Sequence, residues 1–404
     1  MHILLIHQAF AAIDEPGGTR HHEIARYLVN QGHRVTIIAS PVSYLTGKSD
    51  PSSVTQQEQP GIKIRRVYTY PALHRSFLHR IFSFFSVMFS SFIAGLRVKE
   101  VDIVWGTSPP IFQSITAWAV ANIKRIPFLL EIRDLWPAFA IAVGVLRQPF
   151  IIMASEWLER FLYQHADLVV VNSPGFIKHT QERGAENVEL VPNGSDTSMF
   201  NPQKIDLEST QSLRFPGKFV ALYAGAHGMS NDLEVVLQAA VLLRERPDIL
   251  ILLLGDGKEK PALQDLAQEM ALSNLQFLPP IPKNEMPTAL AAADACIAIL
   301  KPIPLYGTVY PNKVFDYMAA GKPVLLAMEG VIREVIEAAG AGLVIPPGDP
   351  AALAKGIIYL ADHEGESREM GSRGREYVKQ HFDRQIQAEI FATLIEDLSK
   401  VNKV

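Results

Sequence analysis

The chain has 404 residues, 48 % hydrophobic and 20 % charged, a length that suits two globular cores better than one. Its formal net charge of −4 argues against a general nucleic-acid binder. The single cysteine, Cys296, excludes an internal disulfide framework and a cysteine-based metal cluster; its apolar run (residues 295–300) marks it as a core residue and fits a reducing compartment.

The opening MHILLIHQAF lacks a basic leader, and its short apolar run reads as a buried strand rather than a signal peptide. Further strands are expected at RVTIIAS (34–40), IKIRRV (62–67), DIVWG (102–106), PFLLEI (127–132), LVVV (168–171) and VELVP (188–192). A second series follows at FVALYAG (219–225), ILILLLG (249–255), LQFLP (275–279), ACIAIL (295–300), PVLLAM (323–328) and GLVIP (342–346). Helical patterns alternate with these runs, which predicts an α/β protein with two Rossmann-like domains of parallel sheet facing each other across a cleft. The expected division is 1–197, a polar linker at 198–218, a second domain at 219–382, and a final helix at 383–404 that packs outside or crosses back to the first domain. Neither half carries a full GxGxxG or a GxxxxGK[ST] loop, which weakens dehydrogenase and P-loop readings.

The segment IFSFFSVMFSSFIAGL (81–96) is too short for a span of about 20 residues, so a helix packed on the sheet or lying at a membrane surface is expected. Residues 61–99 carry Lys63, Arg65, Arg66, Arg75, Arg80, Arg97 and Lys99 and no acid. That pattern suits an interface with anionic lipid, contacted by Arg75, Arg80 and Arg97; the alternative is a solvated basic rim around a core helix.

Gly17 and Gly18 follow the first strand and precede a helix, where paired glycines either let backbone approach a ligand or simply make a flexible turn. Arg20, His21 and His22 crowd that point and are candidates to face the cleft. EIRDLWP (131–137) places Arg133 and Asp134 at the carboxyl end of a strand, either as site residues or as a structural ion pair, with SPP (108–110) on the same rim. AGAHGMSNDLE (224–234) surrounds His227 with glycines before a helix, which is anion-binding geometry or a tight turn with a solvent histidine. In YPNKVFDYMAAGKPVL (310–325), Pro311 opens a helix and Gly321 closes it. Lys313 and the N–H groups near Asn312 form an anion site there, unless Lys313 is only a surface lysine, and Asp316 one turn on suits a sugar diol.

VPNGSDTSMF (191–200), the run from LLLGDGKEKPAL to DACIAIL (252–300), PNKVFDYMAAGKPVL and GLVIPPGDPAALA (342–354) resemble the second-domain pattern of family 4 glycosyltransferases. TSPP, EIRDLWP and GGTRHHEIA resemble the branch similar to the L-fucosamine transferases of O-antigen and capsule assembly. The resemblance implies a GT-B fold and retaining transfer from a nucleotide sugar, the expected donors being UDP-linked N-acetylated amino or deoxyamino sugars. The family's paired glutamates fall on Thr308 and Asp316, the first a departure that loses a charge-assisted bond. Its usual arginine and lysine after the first strand of this half fall on Ala226 and Asn231, so two diphosphate cations are missing. Lys313 is then expected to stabilise the leaving diphosphate and Asp316 to hold the ribose. The donor would also contact Gly17, Gly18, His227, Gly228, Ile281 (backbone to the base), Thr308, Pro311 and Asn312.

Arg133 and Asp134 would stand at the reacting centre with Lys313, Asp134 near the anomeric carbon. No metal or other cofactor is expected. The acceptor would be a lipid-pyrophosphate-linked saccharide, at the inner face of the cell membrane and on the cytoplasmic side. The alternatives are a UDP-sugar 2-epimerase of the same fold, separable by acceptor dependence, and a non-catalytic nucleotide-sugar-binding protein.

Overall fold

The computed structural model describes residues 1–12, 15, 17–42, 55–70, 77–205 and 215–401. The chain divides into two compact units, one formed by Met1–Ala12, Gly17–Pro192 and the chain from Gln385 onward, the other chiefly by Asn193–Arg384. The second unit therefore begins at Asn193, inside the stretch the sequence assigns to the first domain. Of the linker expected at 198–218, residues 206–214 lie outside the described residues.

In the first unit the strands are β1 (His2–Ile6), β2 (Arg34–Ala39), β3 (Thr55–Gln59), β4 (Ile62–Arg66), β5 (Ile103–Ser108), β6 (Phe128–Ile132), β7 (Leu168–Val171) and β8 (Val188–Leu190). They form one sheet in the order β3-β4-β2-β1-β5-β6-β7-β8, parallel throughout except for the β3–β4 pair. Most of these strands are apolar runs of the kind that parallel sheets bury on both faces, whereas β4 (IKIRR) carries three basic residues and β8 (VEL) is only partly buried. The edge strand β3, TQQEQ, has no such signal; it exists because β4 offers it an antiparallel partner. One face of this sheet is sealed by the last helix, Arg384–Val401, whose Phe391 ring centroid lies 4.5 Å from that of Trp105. Ala388, Phe391, Ile395 and Leu398 supply its buried stripe at helical spacing.

In the second unit β9 (Phe219–Ala224), β10 (Ile249–Leu254), β11 (Leu275–Leu278), β12 (Ala295–Ile299), β13 (Val324–Ala327) and β14 (Gly342–Val344) form an all-parallel sheet in the order β11-β10-β9-β12-β13-β14. In order of appearance this is 3-2-1-4-5-6, the doubly wound arrangement in which ligands settle at the carboxyl ends of the strands on either side of the switch. The switch falls between β9 and β12. Alternate β9 residues enter different cores, Leu222 and Ala224 on one face and Ala221 and Tyr223 on the other, so helices cover both sides.

Candidate functional site

The turn after β9 is held open by glycine. Gly225 has φ of +153°, and a Cβ there would stand 2.8 Å from Lys313 Nζ. Gly255 beside it has φ of +144°, and its own Cβ would lie 1.9 Å from the Gly225 carbonyl oxygen, so the two backbones can meet this closely only with glycine at 255. Gly228 is under no such constraint, its nearest neighbour being Asn231 Nδ2 at 3.9 Å.

Opposite this turn starts the helix Asn312–Ala319. Pro311 precedes it in extended backbone, and Gly321, at φ of +69°, lies just beyond its end. Its apolar side, including Val314, Phe315 and Met318, is buried in the core. Tyr317 ties it to the end of β9, its Oη donating to Ala224 O at 3.0 Å and accepting from Ala224 N at 2.9 Å. Lys313 is thereby placed in the first turn with its ammonium 4.0 Å above the Tyr223 ring. It donates to Tyr223 Oη at 2.8 Å and to Asn231 Oδ1 at 3.4 Å. Burial against these neutral partners pushes its pKa down to about 7. Lys313 is thus no free surface lysine, and Asn231 uses its amide oxygen to hold the ammonium. Ala226 contributes its carbonyl oxygen to Tyr223 Oη at 2.7 Å.

His227, expected in solvent if the turn were merely tight, is fully buried, and both ring nitrogens lack a hydrogen-bond partner among the described residues. Burial, followed by Lys260 and Lys313, pushes its pKa down to about 4, so the ring is neutral at pH 7. Its centroid lies 5.9 Å from that of Tyr223 and 6.0 Å from that of Phe277.

Asp316 is buried and already engaged: Ser195 Oγ donates to it at 2.8 Å, and Lys283 pairs with it. Lys283 also lies 4.8 Å above the Phe200 ring. Lys313 and Asp316 thus engage different partners despite their three-residue spacing. Neither Ser195 nor Lys283 is among the residues singled out in the sequence; the only hint is a charged helix position facing an otherwise apolar core. Thr308 donates to Leu305 O at 2.7 Å. Asn312 keeps a buried Oδ1 without a partner among the described residues, and Ile281 packs partly buried against the core.

In the first unit Gly17 and Gly18 are exposed. Gly17 has φ of +153° and its Cβ would lie 2.9 Å from Ala11 Cβ, whereas Gly18 has open space around it. Arg20 and His21, candidates to face a cleft, are instead buried on Glu131: Arg20 Nε lies 2.8 Å and His21 Nε2 2.7 Å from its carboxylate. Trp105 Nε1 donates to the same carboxylate at 3.1 Å. Burial pushes the Glu131 carboxyl up, but His21 and Arg20 outweigh it and hold the group well below the usual carboxylate range. His22 is buried too. Arg133 donates to the Pro109 carbonyl, which ties EIRDLWP to the SPP rim. Asp134 is exposed; crowding by protein atoms pushes its carboxyl up to about 6 while the Arg133 guanidinium pulls it the other way. Arg97 is exposed, whereas Arg75 and the side chain of Arg80 lie outside the described residues.

The glycosyl transferase 4-like domain matches residues 17–194, and the glycosyl transferases group 1 domain matches residues 205–377. The chain is 26 % identical over 372 residues to WcaI of Escherichia coli (strain K12), named as a putative colanic acid biosynthesis glycosyl transferase, covering 87 % of this chain and 90 % of the relative. Sucrose-phosphate synthase from Thermosynechococcus elongatus superposes with a TM-score of 0.81 at 19 % identity, over 99 % of both chains. Anabaena Alr3699/HepE, solved in complex with UDP and glucose, does so with a TM-score of 0.74 at 17 % identity, over 98 % of this chain and all of that one, a likeness of fold. With both domains matched in order and two doubly wound sheets in place, the chain is a glycosyltransferase with the GT-B fold, built from a family 4-like domain and a group 1 domain.

Proposed function

We propose that this enzyme moves a sugar, of the N-acetylated amino or deoxyamino class, from a UDP-linked donor to a lipid-pyrophosphate-linked saccharide, with retention at the anomeric carbon, in cell-surface polysaccharide synthesis such as O-antigen or capsule assembly. The observation that carries the donor half is Lys313 at the start of a helix beside the open turn at 225–228. The helix start supplies backbone N–H groups, and the absence of a side chain at Gly225 leaves room for the Lys313 ammonium beside them. The bond from the anomeric carbon to the diphosphate oxygen breaks as the acceptor hydroxyl oxygen bonds to the same face. The acceptor proton leaves on the departing phosphate oxygen or on Asp134. Negative charge grows on the diphosphate, and a preorganised cation and helix start lower that barrier without a metal ion. Asp316, fixed by Ser195 and Lys283, holds the ribose diol. The uridine and sugar are consistent with the UDP and glucose of HepE, and the polysaccharide context with the name of WcaI.

The membrane half rests on the outer helical layer of the first unit. Phe82, Phe85 and Phe89, one stripe of the helix Phe77–Leu96, are each more than half exposed, as is Tyr68. The helix Pro149–Gln164 exposes a second stripe, Phe150, Met153 and Trp157. Large apolar side chains grouped in this way mark an interaction surface. Among the described residues no helix is long and apolar enough to cross a membrane, so docking is peripheral in this reading. Calorimetric titration with UDP tests the donor site: binding weakened by Lys313→Ala and Asp316→Ala supports the reading, and binding indifferent to both refutes it. UDP release that depends on a lipid-linked acceptor then separates transfer from epimerisation.

A further inference from the structure

The second unit holds another concavity, of about 640 Å³, which the donor contacts do not use. It lies between the start of that unit, at Thr197 to Lys204, and the helix Glu364–His381. Lys204, Arg368, Arg375 and Lys379 line it, and no carboxylate does among the described residues. Arg368 shares its charge with Glu364 at 3.4 Å, but Lys204 and Lys379 have no ion pair among the described residues. Arg375 donates from Nη1 to Phe200 O at 3.1 Å and to Ala319 O, and from Nη2 to Thr197 O at 3.2 Å. Those acceptors are neutral carbonyls, so the guanidinium is fixed without being neutralised; Glu376 and Asp383 act on it from outside the lining. Its Nε–H and one Nη2–H remain without an acceptor among the described residues, which suits an oxyanion. Ala319 is the last residue of the helix that carries Lys313 in its first turn, so this end of the cavity sits roughly 9 Å along that helix from Lys313.

We propose that this cavity is a second anion site, taking a soluble phosphate-bearing ligand of sugar-phosphate or pyrophosphate size. Its volume falls in the range of about 300–1,000 Å³ typical of small-molecule sites. Phosphate matches both the guanidinium fork of Arg375 and the two lysines. The test is titration of inorganic pyrophosphate into the full chain, with UDP present at saturation to fill the donor site, at constant ionic strength, with chloride as the balancing anion. Lys204 and Lys379 are exposed, so Lys204→Ala/Lys379→Ala should melt like the wild type. We expect that double variant to weaken pyrophosphate at least about tenfold, the low end for a charge-assisted contact, while Lys313→Ala leaves the binding in place. Three results overturn the proposal: no binding at millimolar pyrophosphate, equal binding in the double variant, or binding lost only with Lys313→Ala. Sedimentation with phosphatidylglycerol vesicles that needs Lys204 and Lys379, without pyrophosphate binding, assigns the cations to a lipid headgroup and also overturns it.

Discussion

Nucleotide binding by this enzyme should take up a proton, and Lys313 is the reason. Its pKa is down at about 7 because burial disfavours the ammonium and its hydrogen-bond partners, Tyr223 and Asn231, are neutral. At about pH 8 roughly nine-tenths of the amine is then neutral in the free protein. A diphosphate set against it restores the charged form, so binding UDP takes up close to one proton. Linkage makes the affinity fall up to about tenfold per pH unit, or about 1.4 kcal/mol, as long as the bound lysine stays protonated. Above about pH 7 the terminal phosphate of UDP has largely ionised and contributes little slope. Calorimetry from about pH 7.5 to 9, in buffers of different ionisation enthalpy, counts the proton directly. Lys313→Met should abolish the uptake and flatten the profile. A flat wild-type profile with no proton taken up, or a slope that survives Lys313→Met, refutes the reasoning. Stability carries the same signature with its own sign. Between about 7 and 10.5 the unfolded chain binds more protons at this residue than the folded one, so its contribution to stability rises with pH there.

Glu131→Ala takes the buried carboxylate away from Arg20 and His21 and should cost about 3–5 kcal/mol in denaturant unfolding. Because the folded carboxyl lies below its ordinary value, its stabilisation is present above that value and is lost as pH falls, which acid titration of the wild type against this variant will show. Asp316→Asn should weaken UDP and also destabilise, since Lys283 loses its partner; adding Lys283→Met should restore part of the stability but not the nucleotide affinity, and recovery of both would remove Asp316 from the site. His227→Phe removes two unpaired buried nitrogens and should melt no lower than the wild type, whereas a fall in UDP affinity would assign those nitrogens to the ligand. Phe85→Ser/Phe89→Ser should lose most binding to anionic vesicles at unchanged thermal stability, each exposed ring being worth about 1.5–3 kcal/mol if fully inserted; undiminished binding would place the membrane contact elsewhere.

Much of this protein was legible in its sequence because the signals are local. Among the described residues thirteen strands coincide with runs the sequence marks, most of them apolar because strands in a parallel sheet are wrapped on both faces and have no polar side to show. Pro311 and Gly321 bracket a helix by backbone preference alone, and that bracket places Lys313 in a first turn. The edge strand β3 could not be seen, because its five residues are polar and only β4 gives them a ladder. The charged partnerships were invisible for a related reason. Asp316 meets Ser195 across 121 positions and Lys313 meets Tyr223 across 90, while Glu131 gathers Arg20 and His21 from more than 100 positions away. Sequence spacing can place a charge on a helix or within a strand. What neutralises that charge, and whether its pKa moves, depends on which distant element is packed against it, and only the tertiary structure decides that.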